Sequence, residues 1–457
     1  MRIKINIAVC FLLLGFASCT AHKKLMKTPQ PVGNTATNEK EKVVVENKIE
    51  QYAATYLLND SDLLSAHVGI SVYDPAEKKY LYNYQGNKYF IPASNTKLLT
   101  CYAAMKYLGD SLVGLRYEKI NDTSISIRPT ADPTFLISDF TNQPVYDFLK
   151  KFKSIEISPR VQDFKYQGKG WAWDDYKESY AASRGEFPIY GNIATFELAK
   201  DSTIKVIPKI FEIHGITGKA LIAHGIDVIR MWDNNYFSII PGKNKNIQVP
   251  FVPHISSVRD LLNDTLNIST KLELMFSHGK DYKNIIHSQP TDSLLKITMH
   301  RSDNFFAEQT LLMVSNERLG LMSDEKIIET LLATDYKNFP QKPKWVDGSG
   351  LSRYNLISPQ DFVFLLEKMK NDFAWNRITA ILPTGDAGTL KGLYKNYVGK
   401  IYAKTGTVSN NLALSGYIIT NKNKQLIFSV MVNNHQAAAS AIRRSIEKFI
   451  TEIIDNY

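Results

Sequence analysis

The sequence predicts an α/β fold: an antiparallel sheet flanked by helices, built from both ends of the chain, with β-rich domains inserted between them. Three observations lead there. Near the N-terminal end Val68, Ile70 and Val72 alternate with polar residues up to the turn Asp74-Pro75, and a return strand follows over about Lys79–Tyr84. Near the C-terminal end residues 401–403, 412–420 and 425–432 are strand-like, the last two joined as a hairpin by Asn421-Lys422-Asn423-Lys424. After them Ile442, Ile446, Phe449, Ile450 and Ile453 fall on one helical face, the pattern of a terminal helix that covers the sheet.

With 457 residues, 44% hydrophobic and 22% charged, the chain is globular and long enough for two to four domains. The formal charge of +10 suits nucleic acid, an anionic envelope polymer or nothing specific, and alone decides nothing. Residues 1–18 carry Arg2 and Lys4, then an apolar run from residue 5 to 16, then Ala17-Ser18 before Cys19. This is a secretory signal whose end resembles the bacterial lipoprotein cleavage site, so Cys19 is expected to carry the lipid and the protein to be exported to the periplasm. Its only membrane contact would be that anchor. Residues 19–42 are polar and read as a flexible tether, and residues 43–58 look helical. The expected catalytic domain is discontinuous, 43–110 and 290–457, around inserted material at 111–289, where short strand-like runs alternate with Asn, Asp, Gly and Pro. Cys10 leaves with the signal and Cys19 is lipidated, which leaves Cys101 without a disulfide partner; in the apolar stretch 98–102 it reads as core, not as a nucleophile.

The chemistry starts at Ser94-Asn95-Thr96-Lys97, which opens an apolar helical stretch, so Ser94 and Lys97 share a face. A serine hydroxyl becomes a nucleophile when a base takes its proton, and lysine can act as that base if burial or a neighbouring cation pulls its pKa down. The same spacing recurs at Ser202, Ser277, Ser293, Ser323 and Ser445, so companions must decide. Two lie in order downstream: Ser302-Asp303-Asn304, ahead of the helical stretch 305–314, and Lys404-Thr405-Gly406-Thr407 on a strand. Ser409-Asn410-Asn411 lies after that strand, out of order. Ser302 can pass a proton between Lys97 and a leaving nitrogen, and the Asn304 amide can hold the lysine or a substrate carbonyl. Lys404 would lower the Lys97 pKa by repulsion and attract a substrate carboxylate. Thr405 can donate to that carboxylate, Gly406 lets a substrate lie against the strand edge, and the backbone amides of Ser94 and Thr407 would form an oxyanion hole.

The three motifs in this order resemble those of the D-alanyl-D-alanine carboxypeptidase/endopeptidases, the class C low-molecular-mass penicillin-binding proteins. The likeness extends to the long interval between Ser94 and Ser302, to Asp132-Pro133-Thr134, to Trp171-Ala172-Trp173-Asp174-Asp175, and to the stretch from Asp347 to Asn355. The resemblance implies a serine β-lactamase/transpeptidase-like sheet, peptidoglycan stem peptides as substrate and β-lactams as covalent inhibitors. It also makes Asp175 and Arg353 candidates to pair with the amine and carboxylate of diaminopimelate.

Ser358-Pro359-Gln360-Asp361 reads as a structural helix start, and the Gly-rich loop 382–390 as a cleft-lining turn, since no GxxxxGK is present. The nine histidines show no metal-ligand spacing and no GxGxxG occurs, so neither metal, cofactor nor nucleic acid is expected. Two alternatives stay open: a β-lactamase, which would turn penicillin over repeatedly, and a non-catalytic wall-binding lipoprotein, which would need none of the five residues Ser94, Lys97, Ser302, Asn304 and Lys404.

Overall fold

The computed structural model describes residues 47–159, 163–211, 213–216, 224–272 and 282–457. The expected signal, Cys19 and the tether lie outside these residues, as does 43–46. The remainder of the expected first helix divides: Lys48–Ala53 is α-helical, capped by the Asn47 side chain, and Ala54–Leu58 widens into a π turn.

The strands from the two chain ends join one five-stranded antiparallel sheet in the order Ile401–Val408, Asn411–Ile419, Gln425–Asn433, His67–Asp74, Lys79–Tyr84. Strand periodicity of two divides its residues between two cores. Val68, Ile70, Leu412, Leu414, Phe428 and Val430 face the terminal helix Ala439–Asn456, whose Ile442, Ile446, Phe449, Ile450 and Ile453 are all buried. Ala413, Tyr417, Ile427 and Met431 face the opposite layer, which contains helices Lys97–Tyr107, Asn304–Leu319 and Pro359–Asp372. The last of these starts with the expected box: Ser358 Oγ accepts from Asp361 N at 3.1 Å and the Asp361 carboxylate accepts from Ser358 N at 3.0 Å. Cys101 is buried in this layer, and burial pushes its thiol up to about 12. That leaves no thiolate at neutral pH.

Residues between the two halves build three further sheets. One has five strands, with Ser124–Pro129 central and Ser111–Asn121 between it and the edge strand Asn284–Pro290; two have three strands each. This β-rich material is tied to the helical layer by buried polar contacts. Gln309 donates to the carbonyls of Ala131 and Gly185 and accepts from Gly185 N. Arg184, 1% exposed, reaches Glu308 at 3.3 Å and Asp324 at 2.6 Å. Helix Asn304–Leu319 is therefore buried nearly all round, a helix enclosed on every side.

Candidate active site

Ser94 lies in a 3₁₀ turn, Ala93–Thr96, that runs directly into helix Lys97–Tyr107, so Lys97 follows one turn on and its Nζ is 2.9 Å from Ser94 Oγ. Lys97 is fully buried and donates also to Asn304 Oδ1 at 2.6 Å and to the carbonyl of Ser349 at 2.7 Å. All three protons of an ammonium thus have acceptors. Burial holds its pKa down at about 8, while Asp347, Asp303 and Glu308 act in the opposite direction.

Lys404 comes from the neighbouring strand and donates to Ser302 Oγ at 2.9 Å and to the Thr405 carbonyl at 2.7 Å. It too is fully buried, and burial followed by the charge on Lys97 lowers its pKa well below the usual lysine range. This adjusts the expectation for Lys404: the repulsion between the two lysines is mutual, but it is not the largest cause at Lys97. Burial is the main cause at Lys97, and Lys97, with three acceptors and acids around it, is the better home for the pair's proton. The Ser302 hydroxyl is likewise held by Lys404.

Ser302 occupies the left-handed region at φ 59° between two helices, and Asp303 caps the second by accepting from Phe306 N at 2.8 Å. The next residue, Asn304, has its amide oriented from both ends, since its Nδ2 donates to the Tyr180 carbonyl at 2.9 Å.

The role of Gly406 also differs from the expectation. A Cβ there would stand 2.6 Å from the Pro92 carbonyl oxygen and 3.2 Å from Ser94 N. Glycine is needed because the strand presses on the Ser94 turn from beneath, rather than to make room for substrate. Thr407, the next residue, is exposed and accepts from Arg443 Nη2 at 3.0 Å.

Ser94, Ser302, Asn304, Thr405 and Thr407 line one open cleft of about 730 Å³, a volume ordinary for a ligand site. Asp174, Asp175 and Arg353 line its far end, and Thr389 of the Gly-rich loop lines it as expected. The Asp175 carboxylate accepts from the Tyr180 hydroxyl at 2.8 Å, and Arg353 donates to the Ser409 carbonyl at 3.2 Å. The two charges make no ion pair with each other, which leaves both available to a ligand.

Several residues that shape the cleft were given no role of their own in the sequence, although Asp347 and Gly350 lie in a stretch singled out there. Asp347 accepts from Trp171 Nε1, Ser352 N, Gly350 N and Asn355 Nδ2, which fixes the turn whose Ser349 carbonyl holds Lys97. Gly350, at φ 86°, has the Ala93 carbonyl oxygen 1.9 Å from where a Cβ would be. Glu308 accepts from Ser349 N at 2.8 Å; burial and the nearby Asp347 raise its carboxyl to about 7. Beneath the nucleophile, Asn95 Nδ2 donates to Ser415 Oγ and Ser415 to Ser429 Oγ, in a row where Lys404, Ser415, Ser429 and Ser71 stand opposite one another on successive strands. The signal for the turn was present in Asp347-Gly348-Ser349-Gly350, two glycines beside an acid. The serine row has no local signature.

Among the described residues no group of three or more His, Cys, Asp or Glu is placed to hold a metal ion. The family model described as D-Ala-D-Ala carboxypeptidase 3 (S13) matches residues 50–211 and 277–453. The chain belongs to this family. Membership makes it a serine-type D-Ala-D-Ala carboxypeptidase. It is 23% identical over 436 residues, 83% of this chain and 88% of the relative, to D-alanyl-D-alanine carboxypeptidase DacB of Haemophilus influenzae. It is 26% identical over 190 residues, 38% of this chain and 36% of the relative, to penicillin-sensitive carboxypeptidase A of Dictyostelium discoideum. Its fold is similar to the crystal structure of penicillin binding protein 4 from Haemophilus influenzae, with a TM-score of 0.70, 18% identity and coverage of 89% of this chain and 99% of that one. A penicillin G-acylated predatory endopeptidase from Bdellovibrio bacteriovorus is similar at a TM-score of 0.51 and 13% identity, over 85% of this chain and 93% of that one.

Proposed function

We propose that Ser94 attacks the carbonyl carbon between two D-alanines of a stem peptide, and that Lys97 accepts its proton. The supporting observation is the 2.9 Å contact between a partly exposed serine hydroxyl and a buried lysine whose pKa burial has lowered. The backbone amides of Ser94 and Thr407 stabilise the oxyanion. Substrate helps to prepare the base. A terminal carboxylate brought beside Lys404 by Thr405 and Thr407 favours the charged form of that lysine, and repulsion then pushes Lys97 toward the neutral amine. The proton reaches the leaving nitrogen through Ser302, which Lys404 orients; water then hydrolyses the acyl ester and restores the serine.

Asp175 and Arg353 are assigned to the amine and carboxylate of diaminopimelate on the acyl side. Replacing Arg353 by alanine is expected to lower kcat/KM on diaminopimelate-bearing peptides by roughly tenfold, the loss of a charge-assisted contact, with little change on acylated D-Ala-D-Ala. Equal loss on both substrates would remove the side-chain role. Endopeptidase cleavage of D-Ala-diaminopimelate cross-links requires the same acyl group with a larger leaving group, and the open cleft supports it. Incubation with defined monomeric and cross-linked muropeptides tests it directly: failure to cut the dimer leaves a carboxypeptidase only. Export and lipid anchoring at Cys19 rest on the N-terminal signal. Labelled palmitate should enter the wild-type chain in cells and not Cys19→Ala; no incorporation into either makes Cys19 incidental.

A further inference from the structure

At its Asp174 and Asp175 end the cleft meets an apolar surface that the mechanism does not use. Trp173, in the turn Trp173–Lys177 beside the cleft, is 75% exposed, and Met231 and Trp232, whose loop packs on the same turn at Tyr176, are 57% and 50% exposed. Ile229, on the outward face of the strand Ile226–Arg230, continues the surface at 50%. Clustered exposure of this kind marks an interaction site.

The surface is held in place by one buried side chain. Arg230, 2% exposed, donates from Nη1 to the carbonyls of Met231 at 2.8 Å, Trp232 at 3.0 Å and Asn234 at 3.1 Å, and from Nη2 to the Tyr176 carbonyl at 3.3 Å. The Tyr176 hydroxyl donates back to the Arg230 carbonyl at 3.2 Å, and the Tyr176 and Trp232 rings meet edge-on at 4.8 Å. A guanidinium that donates from both Nη atoms to backbone carbonyls locks the tryptophan-bearing loop to the turn that carries Asp174 and Asp175 of the cleft wall. Nothing in core packing requires Trp232 to be displayed in this way.

We propose that this surface docks the glycan strand of peptidoglycan, an N-acetylated sugar polymer, while its stem peptide lies in the cleft; the inference rests on the D,D-peptidase reading above. Two observations select that occupant. The surface adjoins the cleft, because Trp173 lies between Ala172 and Asp174, which line it, and the stem peptide is covalently joined to the glycan, so a peptide in the cleft brings sugar near this surface. Charge agrees: Asp174 and Asp175 share the turn of Trp173, where Lys177 is the one cation, and Asp227 and Asp233 stand beside Val228 and Trp232 in the chain. These acids repel an anionic phospholipid surface. The sugar backbone is uncharged where each lactyl carboxyl is amide-linked to a peptide, and the C–H faces of its rings match the exposed face of an indole.

The test compares D-alanine release from a disaccharide pentapeptide and from the free pentapeptide of the same sequence. In Trp232→Ala, kcat/KM on the disaccharide substrate is expected to fall about tenfold, the scale of truncating a buried interface tryptophan, with the free peptide unaffected. Trp173→Ala, on the other side of the ring contact, should show the same split, and an unchanged rate of acylation by fluorescent penicillin establishes that each variant is folded. Equal change on both substrates, or none on either, overturns the proposal. So does loss of binding to phosphatidylglycerol vesicles with sacculus binding intact, which would make the patch a membrane contact. A wild-type protein that releases D-alanine from neither substrate refutes the peptidase reading itself, a distinct result.

Discussion

Ser94→Ala is expected to abolish covalent labelling by a fluorescent penicillin and to reduce D-alanine release by on the order of 10⁴-fold or more, as for removal of other serine nucleophiles. The effect should be on chemistry and not on folding. Ser94 sits in a turn held by Asn95 N–H to the Pro92 carbonyl at 3.2 Å and by the Thr96 hydroxyl to the Ala93 carbonyl at 2.9 Å, neither of which uses the Ser94 side chain. Thermal unfolding should therefore move little. Of the five serines that share the SxxK spacing, Ser277 lies outside the described residues and the other four belong to other places in the fold: Ser323, for example, caps helix Asp324–Ala333, and Ser445 lies on the terminal helix with its hydroxyl on Asp60. Persistent labelling of the variant would show that another serine is acylated.

The second large effect is expected at Lys97. With a methionine there the general base is gone, and acylation should slow by about 10²- to 10⁴-fold. The pH dependence gives the sharper test. Below about pH 8 the Lys97 amine is mostly protonated and has no lone pair to accept the serine proton; above it the neutral form dominates. The acylation rate should therefore rise with pH through a limb near 8, a value that belongs to Lys97 and Lys404 as an interacting pair. The sign follows from the depressed pKa: an ordinary lysine would place the limb above 10. In Lys97→Met that limb should vanish from the residual rate. A limb that stays in place would assign the base elsewhere.

The sheet was legible because its residues alternate. Val68, Ile70 and Val72 face one core, and the hairpin around residues 421–424 falls where the polar break predicts it. The helix Ala439–Asn456 was legible for the same reason at a period of 3.6, with an apolar stripe on an otherwise polar sequence. Of the site, the five residues from the three motifs converge as chain order suggested, because each motif is local and its order is informative. What could not be read is how they are held. The Ser349 carbonyl on Lys97 is a backbone atom, the serine row depends on strand register across the sheet, and the proton balance between two lysines depends on burial and neighbouring acids that no spacing reveals. The packing reason for Gly406 could not be read either, since its close neighbour, Pro92, becomes adjacent only once the sheet and the turn are packed.

The buried Arg184 links the β-rich material to the helix behind the candidate base. A trimmed enzyme lacking that material would leave the Glu308 carboxylate without its guanidinium, in a low-dielectric interior one peptide unit from the carbonyl that holds Lys97. The protein is thus poorly suited to reduction to a minimal penicillin-binding core: excision would have to be accompanied by neutralising Glu308, and even then it would retune the lysine it meant to preserve.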